Sequence, residues 1–489
     1  MLFVCCLAWV KAQNFPNFNR NYNFVNGYYL TFYDIHATDT GYYIVGTMAD
    51  SVNRVNAGMF AFIELNGDVR WVKNYSKPDT SCIFFNMNTI GNNFLIGGAA
   101  GLEDNLGNIF DFGSIWHLDK NGLIIWEHKI SYNNVPSSIH SIVVDEQNQS
   151  LFSRMAASVN YGIYKLSTNG NLINQQIVMR ANQNTIFSFW GSGVQQNTSL
   201  YSFACSDYNS ITEEQRHFFY VKDTAFNTVD SFYLSGRYGA LKHLDKIDDN
   251  AFAVSGQRTV ANGTDVSHPH IYTLDSNLNR TMNSTIRGDR AGNLNSATRT
   301  FANGDGSFTV LGTNIIEQQG REIGFMARVS ASGQLLWQRG LYSPQNFYTM
   351  YNAAQTSDGG YIVCGDVLGI STGYYQQGWL MKVDSNGCVL PNCHLAAEEV
   401  AETKQPAMLL YPNPATDYIN IQVALPEAVE ITPAYIELID NKGRVLETQK
   451  LYMQDLAYQF YLYNYVAGHY AIRVRQGNKQ STKQFVKGR

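Results

Sequence analysis

The residues that could carry chemistry in this chain are scattered rather than grouped. Ten histidines occur among its 489 residues. Only His268 and His270, on either side of Pro269, are close enough in sequence to offer two ligands to one metal ion. No Glu or third His accompanies them at a fixed local spacing. We therefore expect this segment to be a loop, and we predict no metal site.

Acidic turns offer the oxygen ligands that calcium prefers. The candidates are Asp248-Asp249-Asn250 and the stretch from Glu103 to Asp111. Neither has the alternating carboxylates and terminal Glu of a calcium loop, and Asp and Asn are also common in ordinary turns. We expect turns and no cofactor, with structural calcium as the alternative.

Signatures of catalysis and of nucleotide binding are missing from the sequence. It contains no Gly-x-Ser-x-Gly elbow and no phosphate-binding loop. The 40 acidic residues cannot be paired into an acid and a base from one sequence. A net charge of −5 implies no basic face for nucleic acid. The sequence favours a binding body over an enzyme.

Two recurring sequence patterns, here called phrases, indicate the turns and strands that must position these side chains. One is a turn followed by a short strand ending in Gly, as in SDGGYIVCG at 357–365. The other is a hairpin, as in MKVDSNGCVL at 381–390. In the first phrase, Gly46 and Gly365 are 319 residues and six steps apart, so the repeat is about 53 residues long.

A repeat of this length with two hairpin-like halves accommodates four short strands, which is one blade of a β-propeller. Closure of seven such units leaves no long exposed edge. We predict an all-β chain with a seven-bladed β-propeller over residues 22–393. The alternatives are six or eight blades, an open stack and paired sandwiches. The repeat pattern is weak near residues 200–280, and we call these the eroded repeats. The repeats resemble those of bacterial and archaeal cell-surface propellers, which implies the fold and little more.

Apolar residues follow the hairpin glycines with a period of two. Alternate residues of a strand point to the same face. We therefore predict that three pairs lie on a buried face and that their tryptophans pack in the core: Val69 and Trp71, Ile124 and Trp126, Leu335 and Trp337.

Aromatic-rich segments at Tyr342–Tyr351 and Tyr374-Tyr375 are predicted to be loops on one propeller face. Loops of this composition present Tyr, Phe and Asn to a glycan or protein ligand, although such residues also pack between blades. The propeller is then a binding or adhesion scaffold. The alternative is a polysaccharide-active or other hydrolase or lyase with its site at the channel mouth.

The chain begins with an apolar run from Leu2 to Val10, followed by the small residue Ala12. This pattern predicts a signal peptide over residues 1–12, with a buried first strand as the alternative. No other run reaches the length of a membrane-spanning helix, so we predict no transmembrane segment.

Five cysteines follow this leader. Cys388 and Cys393 lie close together in GCVLPNC, and in an exported protein we predict that they form a disulfide. A metal site is the weaker alternative, because a second ligand pair is missing. Cys82, Cys205 and Cys364 are predicted to be small buried apolar residues.

The repeat ends after Cys393. Residues 394–408 are rich in Ala and Glu, and we predict a linker there, with a short helix as the alternative. Beyond it, short alternating strands separated by turns predict a small Ig-like antiparallel β-sandwich over residues 409–489.

Three segments of this last domain carry a specific resemblance: YPNPATDYINI, IELIDNKGRVL and VAGHYAIRVRQGNKQSTKQFVK. In order and position they resemble the C-terminal sorting domain (type A) of the type IX, or Por, secretion system of Bacteroidetes. By this resemblance the sorting-motif residues are Tyr411, Pro412, Asn413, Pro414, Asp440, Gly443, Gly468, Tyr470 and Lys483.

The resemblance also implies a route. The signal peptide would direct export across the inner membrane, and the outer-membrane type IX translocon would recognise the C-terminal domain. A sortase would remove that domain within the 394–408 linker. The propeller would then be extracellular, either released or attached to surface lipopolysaccharide.

Overall fold

The fold is described from a computed structural model in which every regular element among the described residues is a β-strand. Within the described part of the chain, no helix is long and apolar enough to cross a membrane. The structure describes residues 16–488 except 25–27, 51–55, 77–79, 102–111, 131–136, 146–149, 158–159, 181–184, 188–191, 196–198, 210–213, 237, 262–264, 287–294, 317–320, 342–345, 370–374, 390–406, 426–432, 452–456 and 478.

The described strands between residues 18 and 383 form seven antiparallel sheets. Sheet 1 contains β2 (Tyr28–Thr38), β3 (Gly41–Asp50), β4 (Asn56–Glu64) and β5 (Val69–Tyr75); sheet 2 contains β6 (Ser81–Ile90), β7 (Asn93–Gly101), β8 (Phe112–Leu118) and β9 (Ile124–Ile130); sheet 3 contains β10 (Ser137–Asp145), β11 (Ser150–Ala157), β12 (Asn160–Ser167) and β13 (Leu172–Arg180). Sheet 4 contains β14 (Thr185–Phe187), β15 (Gly193–Gln195), β16 (Leu200–Asn209), β17 (Glu214–Asp223) and β18 (Thr228–Gly236); sheet 5 contains β19 (Tyr238–Asp248), β20 (Ala251–Ala261), β21 (Asp265–Asp275) and β22 (Arg280–Thr285). Sheet 6 contains β23 (Ser296–Ala302), β24 (Phe308–Ile316), β25 (Arg321–Val329) and β26 (Leu335–Leu341); sheet 7 contains β27 (Asn346–Gln355), β28 (Tyr361–Gly369), β29 (Gln377–Val383) and β1 (Phe18–Tyr22).

Contacts between neighbouring sheets follow the chain order: β2 contacts β6, β6 contacts β10, β10 contacts β15, β15 contacts β19, β19 contacts β23, and β23 contacts β27. Strand β2 of sheet 1 also contacts β27 of sheet 7. The sheets therefore close into a ring with one inner strand each, which is the β-propeller architecture. Strand β1 pairs with β29 and supplies the outermost strand of sheet 7, so the start of the ring is fastened to its end. The Trp379 Nε1 group donates to Asn19 Oδ1 at 2.8 Å across this junction.

Hairpin turns pack against the outer strand of the preceding sheet. Gly122, with φ +74°, has no room for a Cβ, which would lie 2.7 Å from the Tyr75 hydroxyl. In the eroded repeats, Phe226 (φ +74°) and Leu278 (φ +61°) occupy the corresponding turn position and are buried. In these two turns the residue's own side chain fills the space that a neighbouring side chain fills beside the glycine of the other turns. Because the glycine is missing, the repeat is harder to recognise in the sequence.

The predicted burial of the tryptophan strands is wrong in part. Trp71, Trp126 and Trp337 are only partly buried, although they do pack against core clusters. Their period-two partners are exposed: Val69 by 44%, Ile124 by 52% and Leu335 by 46%. The reason is that β5, β9 and β26 are the outermost strands of their sheets, so the strand start faces solvent.

Two predicted loops are strands. His268, Pro269 and His270 lie within β21, where His270 is buried and its Nδ1 is 3.0 Å from Thr285 Oγ1. Residues 346–351 of the predicted aromatic loop belong to inner strand β27, while 342–345 lie outside the described residues. Tyr374 also lies outside them, and Tyr375 is exposed beside Tyr29.

The C-terminal domain consists of two facing antiparallel sheets. One contains β30 (Ala407–Tyr411), β31 (Tyr418–Ala424) and β34 (Ala457–Tyr461); the other contains β32 (Ala434–Asp440), β33 (Val445–Leu451), β35 (Gly468–Gln476) and β36 (Lys479–Lys487). Inward residues of both sheets, including Ile421, Phe460, Ile436 and Val474, are buried in one core cluster. Such packing of two sheets is a β-sandwich. Strand β30 begins two residues before the predicted domain start, and the predicted signal peptide and linker residues 394–406 lie outside the described residues.

Candidate functional site

The centre of the propeller contains a cavity of about 350 Å³. This volume is near the lower limit of the roughly 300–1,000 Å³ typical of small-molecule sites. Its walls come from the inner strands of all seven sheets, so no single repeat builds it. The lining includes Tyr33, Phe85, Asn88, His140, Ser192, Lys242, His243, Arg299, Phe301, Tyr351 and Gln355.

The inner strands reach the cavity through irregular backbone. Register shifts occur next to Tyr33 in β2, Phe85 in β6, His140 in β10 and Tyr351 in β27, and β19 and β23 have comparable shifts. A β-bulge places one extra residue in a strand and re-aims its side chain. Four of the bulged residues are therefore cavity-lining aromatic or imidazole groups.

These four rings form a continuous arc. The ring centroids lie 4.9 Å apart for Tyr351 and Tyr33, 5.4 Å for Tyr33 and Phe85, and 4.7 Å for Phe85 and His140. Burial raises the pKa of Tyr33 to about 12, so its hydroxyl stays protonated at neutral pH. Lys242, also in the lining, belongs to sheet 5.

A ring of hydrogen bonds, here called the polar belt, joins each inner strand to the next at the cavity wall. Its members are Asp34, Asn86, Asn88, Ser141, Ser192, Asp245, Arg299 and Asn352. Asp34 Oδ2 accepts from the Met87 amide at 2.7 Å, and Asn86 donates to the Ile139 carbonyl at 2.8 Å. The hydroxyls of Ser141 and Ser192 accept from the amides of the following sheets.

The belt continues through an ion pair in sheets 5 and 6. Arg299 Nε donates to Asp245 Oδ1 at 2.7 Å, and Arg299 Nη1 donates to Asn352 Oδ1 at 2.8 Å. Asn352 in turn donates to Asp34 Oδ1 at 2.5 Å, which closes the circle. His243 Nδ1 also lies 3.2 Å from Asp245 Oδ1.

The two belt carboxylates have opposite pKa shifts. Burial raises the pKa of Asp34, and its amide donors offset only part of that effect. Burial alone would also raise the pKa of Asp245, but Arg299 and His243 overcome it and hold the pKa at about 2. Both carboxylates are committed to structural hydrogen bonds, which leaves neither placed as a free acid or base.

Neither the belt nor the arc was predicted from the sequence. Their signal is a polar residue recurring with the same period as the glycine phrases, as at Asp34, Asn86, Ser141 and Arg299. Among the described residues, no three His, Cys, Asp or Glu side chains are grouped to hold a metal ion. Asp248 instead accepts from the Asn250 amide in a turn, and the stretch 103–111 lies outside the described residues.

Three cysteines are buried, as predicted: Cys82, Cys205 and Cys364. Cys388 is disulfide-bonded, and its sulfur accepts from Arg339 Nη1 at 3.2 Å. Cys393, the predicted partner, lies outside the described residues.

The predicted sorting motifs converge on one end of the C-terminal sandwich. Pro412 and Pro414 follow cis peptide bonds in an exposed segment that continues from Tyr411. Asn413 Oδ1 accepts from the Val486 amide at 2.9 Å, so the first motif is held by the last strand. Ala415 pairs with the same strand through a bridge to Lys487.

The central motif is a tight turn at the same end. Asp440 Oδ1 accepts from the amides of Lys442 and Arg444 at 2.9 Å, and these bonds lower the pKa of Asp440. Gly443 supplies the positive φ of +79° that the turn requires. These contacts explain why the motif has Asp and Gly at these two positions of the turn.

The third motif lies at the same end of the sandwich as the other two. Tyr470, two residues after Gly468, stands opposite Asp440 on one side and Phe485 on the other. Its hydroxyl donates to the Val466 carbonyl at 2.7 Å. Lys483 is exposed on β36 and lies farther from this end. We call residues 411–418, 440–445, 461–470 and 485–488 the motif end.

Comparison with family models decides what this domain is. Residues 409–488 match the secretion system C-terminal sorting domain. The sorting domain spans all three motifs and implies that the chain is secreted by the type IX system, to the cell surface or the extracellular space. Recognition by that secretion machinery follows from the same match.

No curated protein matches the sequence. Among solved structures, the chain is similar to the β-propeller domain of the Trilobed protease from Pyrococcus furiosus, with 10% identity, 74% of this chain and 97% of that chain covered, and a TM-score of 0.42. It is also similar to the acylaminoacyl peptidase of Pyrococcus horikoshii, with 10% identity, 89% and 65% coverage, and a TM-score of 0.41. With TM-scores below 0.5, these similarities carry no functional argument. The fold assignment depends on the sheet topology of the chain itself.

Proposed function

We propose that the chain is an exported cell-surface or secreted binding protein, whose seven sheets are the blades of a propeller that binds a glycan in the central cavity. The Ig-like C-terminal sandwich is its sorting domain, of type A, as in Bacteroidetes. A signal peptide over residues 1–12 starts export, and sortase cleavage in the 394–408 linker releases the propeller or leaves it on surface lipopolysaccharide.

The observation that carries the glycan proposal is the aromatic arc. Aromatic faces stack on the apolar faces of sugar rings, and polar groups on the opposite wall hydrogen-bond to hydroxyls. Lys242 of sheet 5 adds an ammonium group to the lining, and Gln355 adds an amide group. A cavity of about 350 Å³ suits one or two sugar residues rather than a folded protein.

Glycan-array binding followed by calorimetry tests this proposal. We expect the purified protein to bind a defined glycan, and we expect Phe85→Leu or Tyr351→Leu to weaken binding at least tenfold, because each removes a ring of the arc. Tyr375→Leu is the matched control, because this tyrosine is 48% exposed and is not part of the cavity lining.

Two results would overturn the cavity site: no glycan bound above background, or equal binding by the Phe85 variant and the wild type. Circular dichroism of each variant reports whether the fold is retained. Release of products from the bound polysaccharide would instead support the hydrolase alternative.

A further inference from the structure

Exposed apolar side chains gather at the motif end of the sorting domain. Val466 is 80% exposed, Tyr463 66%, Val445 44% and Tyr418 40%. Of the large apolar residues exposed in the described part of this domain, only Leu409 lies away from the motif end. Clustered exposed apolar residues of this kind mark interaction sites more often than isolated ones do.

The segment that presents two of these side chains is held at both ends. The Leu462 amide donates to the Asp417 carbonyl at 2.7 Å, and the Tyr465 amide donates to the Leu462 carbonyl at 3.0 Å. The Val466 carbonyl accepts from the Tyr470 hydroxyl at 2.7 Å. Tyr463 and Val466 are therefore displayed on fixed backbone, which lowers the entropy cost of binding a partner.

Tyrosine stacking fixes the patch further. The Tyr461 and Tyr463 rings are stacked with centroids 5.7 Å apart, and Tyr418 stands opposite Tyr461 on the neighbouring strand. Tyrosine is enriched among the residues that dominate protein interfaces, because it brings apolar area and a hydroxyl at small entropic cost.

The outer face of the four-stranded sheet has a different character. Glu437 is paired with Arg473 at 2.6 Å and with Arg475 at 2.9 Å, and Arg475 lies over the Tyr435 ring. These charges satisfy one another within the domain. The apolar surface left for a partner is thus at the motif end.

We propose that Tyr418, Tyr463 and Val466 form the surface by which a protein of the type IX export machinery binds this domain, through an apolar pocket that accepts the Tyr463 and Val466 side chains. This inference rests on the proposed export function, since the match of residues 409–488 to a sorting domain supplies the partner. The three motifs build the end of the sandwich, and the exposed patch makes the contact.

Export of the full chain in its native host tests the proposal. The double variant Tyr463→Ser, Val466→Ser is compared with wild type, with a chain lacking residues 409–489, and with Leu335→Ser, Leu336→Ser as matched control. The control replaces propeller residues that are 46% and 56% exposed. Surface protein is measured by antibody labelling of intact cells, and the fold of retained protein by its protease resistance.

We expect the double variant to reach the surface at least tenfold less than wild type while its retained chain stays protease-resistant, and the control to be exported normally. Normal export of the double variant, with the deletion retained, would overturn the surface. A protease-sensitive double variant would be replaced by the single variant Val466→Lys, for which the same two outcomes apply. Export of the deletion itself would refute the proposed export function instead.

Discussion

At the residue scale, the propeller interior depends on polar groups whose ionisation is set by their neighbours. The ion pair between Asp245 and Arg299 is the strongest case, because Asp245 is 7% exposed and its pKa is held at about 2. These two residues could not be paired from the sequence, since they come from different repeats and meet only when the ring closes. The residue types and their period can be seen in the sequence, but the contacts between these residues cannot.

Replacement of Asp245 by Asn should reduce the free energy of unfolding of the propeller by about 3 kcal/mol, because it leaves Arg299 partly buried without its counter-charge. The pair contributes above the unfolded-state pKa of about 4, and its contribution is lost as the pH falls through about 2. Urea denaturation at pH 7 measures the effect. The control Asp68→Asn, in an exposed pair with Arg20, should be close to wild type; equal effects would count against the belt.

The buried His270 predicts a second pH response. Burial and the nearby Arg258 lower its pKa to about 3, so the folded state keeps it neutral while the unfolded chain protonates near pH 6.5. Stability should therefore fall as the pH drops from about 6.5 towards 3, with a slope of up to about 1.4 kcal/mol per pH unit from this group. His270→Gln should flatten the curve measured by thermal unfolding. An unchanged slope would show that His270 is not the group responsible.

At the element scale, the sequence predicted what is local and periodic. The hairpin glycine at Gly387 lies in a turn after strand β29, and alternating segments of the C-terminal domain form strands such as β32 and β35. The errors came where burial depends on position within a sheet, as for Trp71 and its exposed partner Val69 on an outermost strand. Alternation identifies a strand with two unlike faces, but it does not say how deeply either face is buried.

The turn at Phe226 allows a test of how eroded repeats stay folded. Phe226→Gly relieves a left-handed backbone worth about 1 kcal/mol but removes a buried ring that also contacts Lys222, worth about 3 kcal/mol. We expect a net loss of about 2 kcal/mol in the free energy of unfolding. Gly306→Ala, at φ +81° with no atom within 4 Å of the added Cβ, calibrates the backbone cost alone. A Phe226→Gly protein as stable as wild type would contradict this packing role.

At the scale of the whole molecule, the two domains have separate roles. The propeller carries the cavity, and the sandwich carries the motifs that match a sorting domain. Sequence motifs identified the destination because they are local and ordered. The cavity is assembled from inner strands of all seven sheets and could not be read from any one of them.

We propose above that residues 409–489 deliver the propeller to the outside of the cell. The most direct measurement compares the surface labelling of intact cells that express the full chain with that of cells expressing a chain ending at Met408. We expect the full chain to be labelled and the truncated chain to be folded but retained inside the cell envelope. Equal surface labelling of the two chains would contradict it.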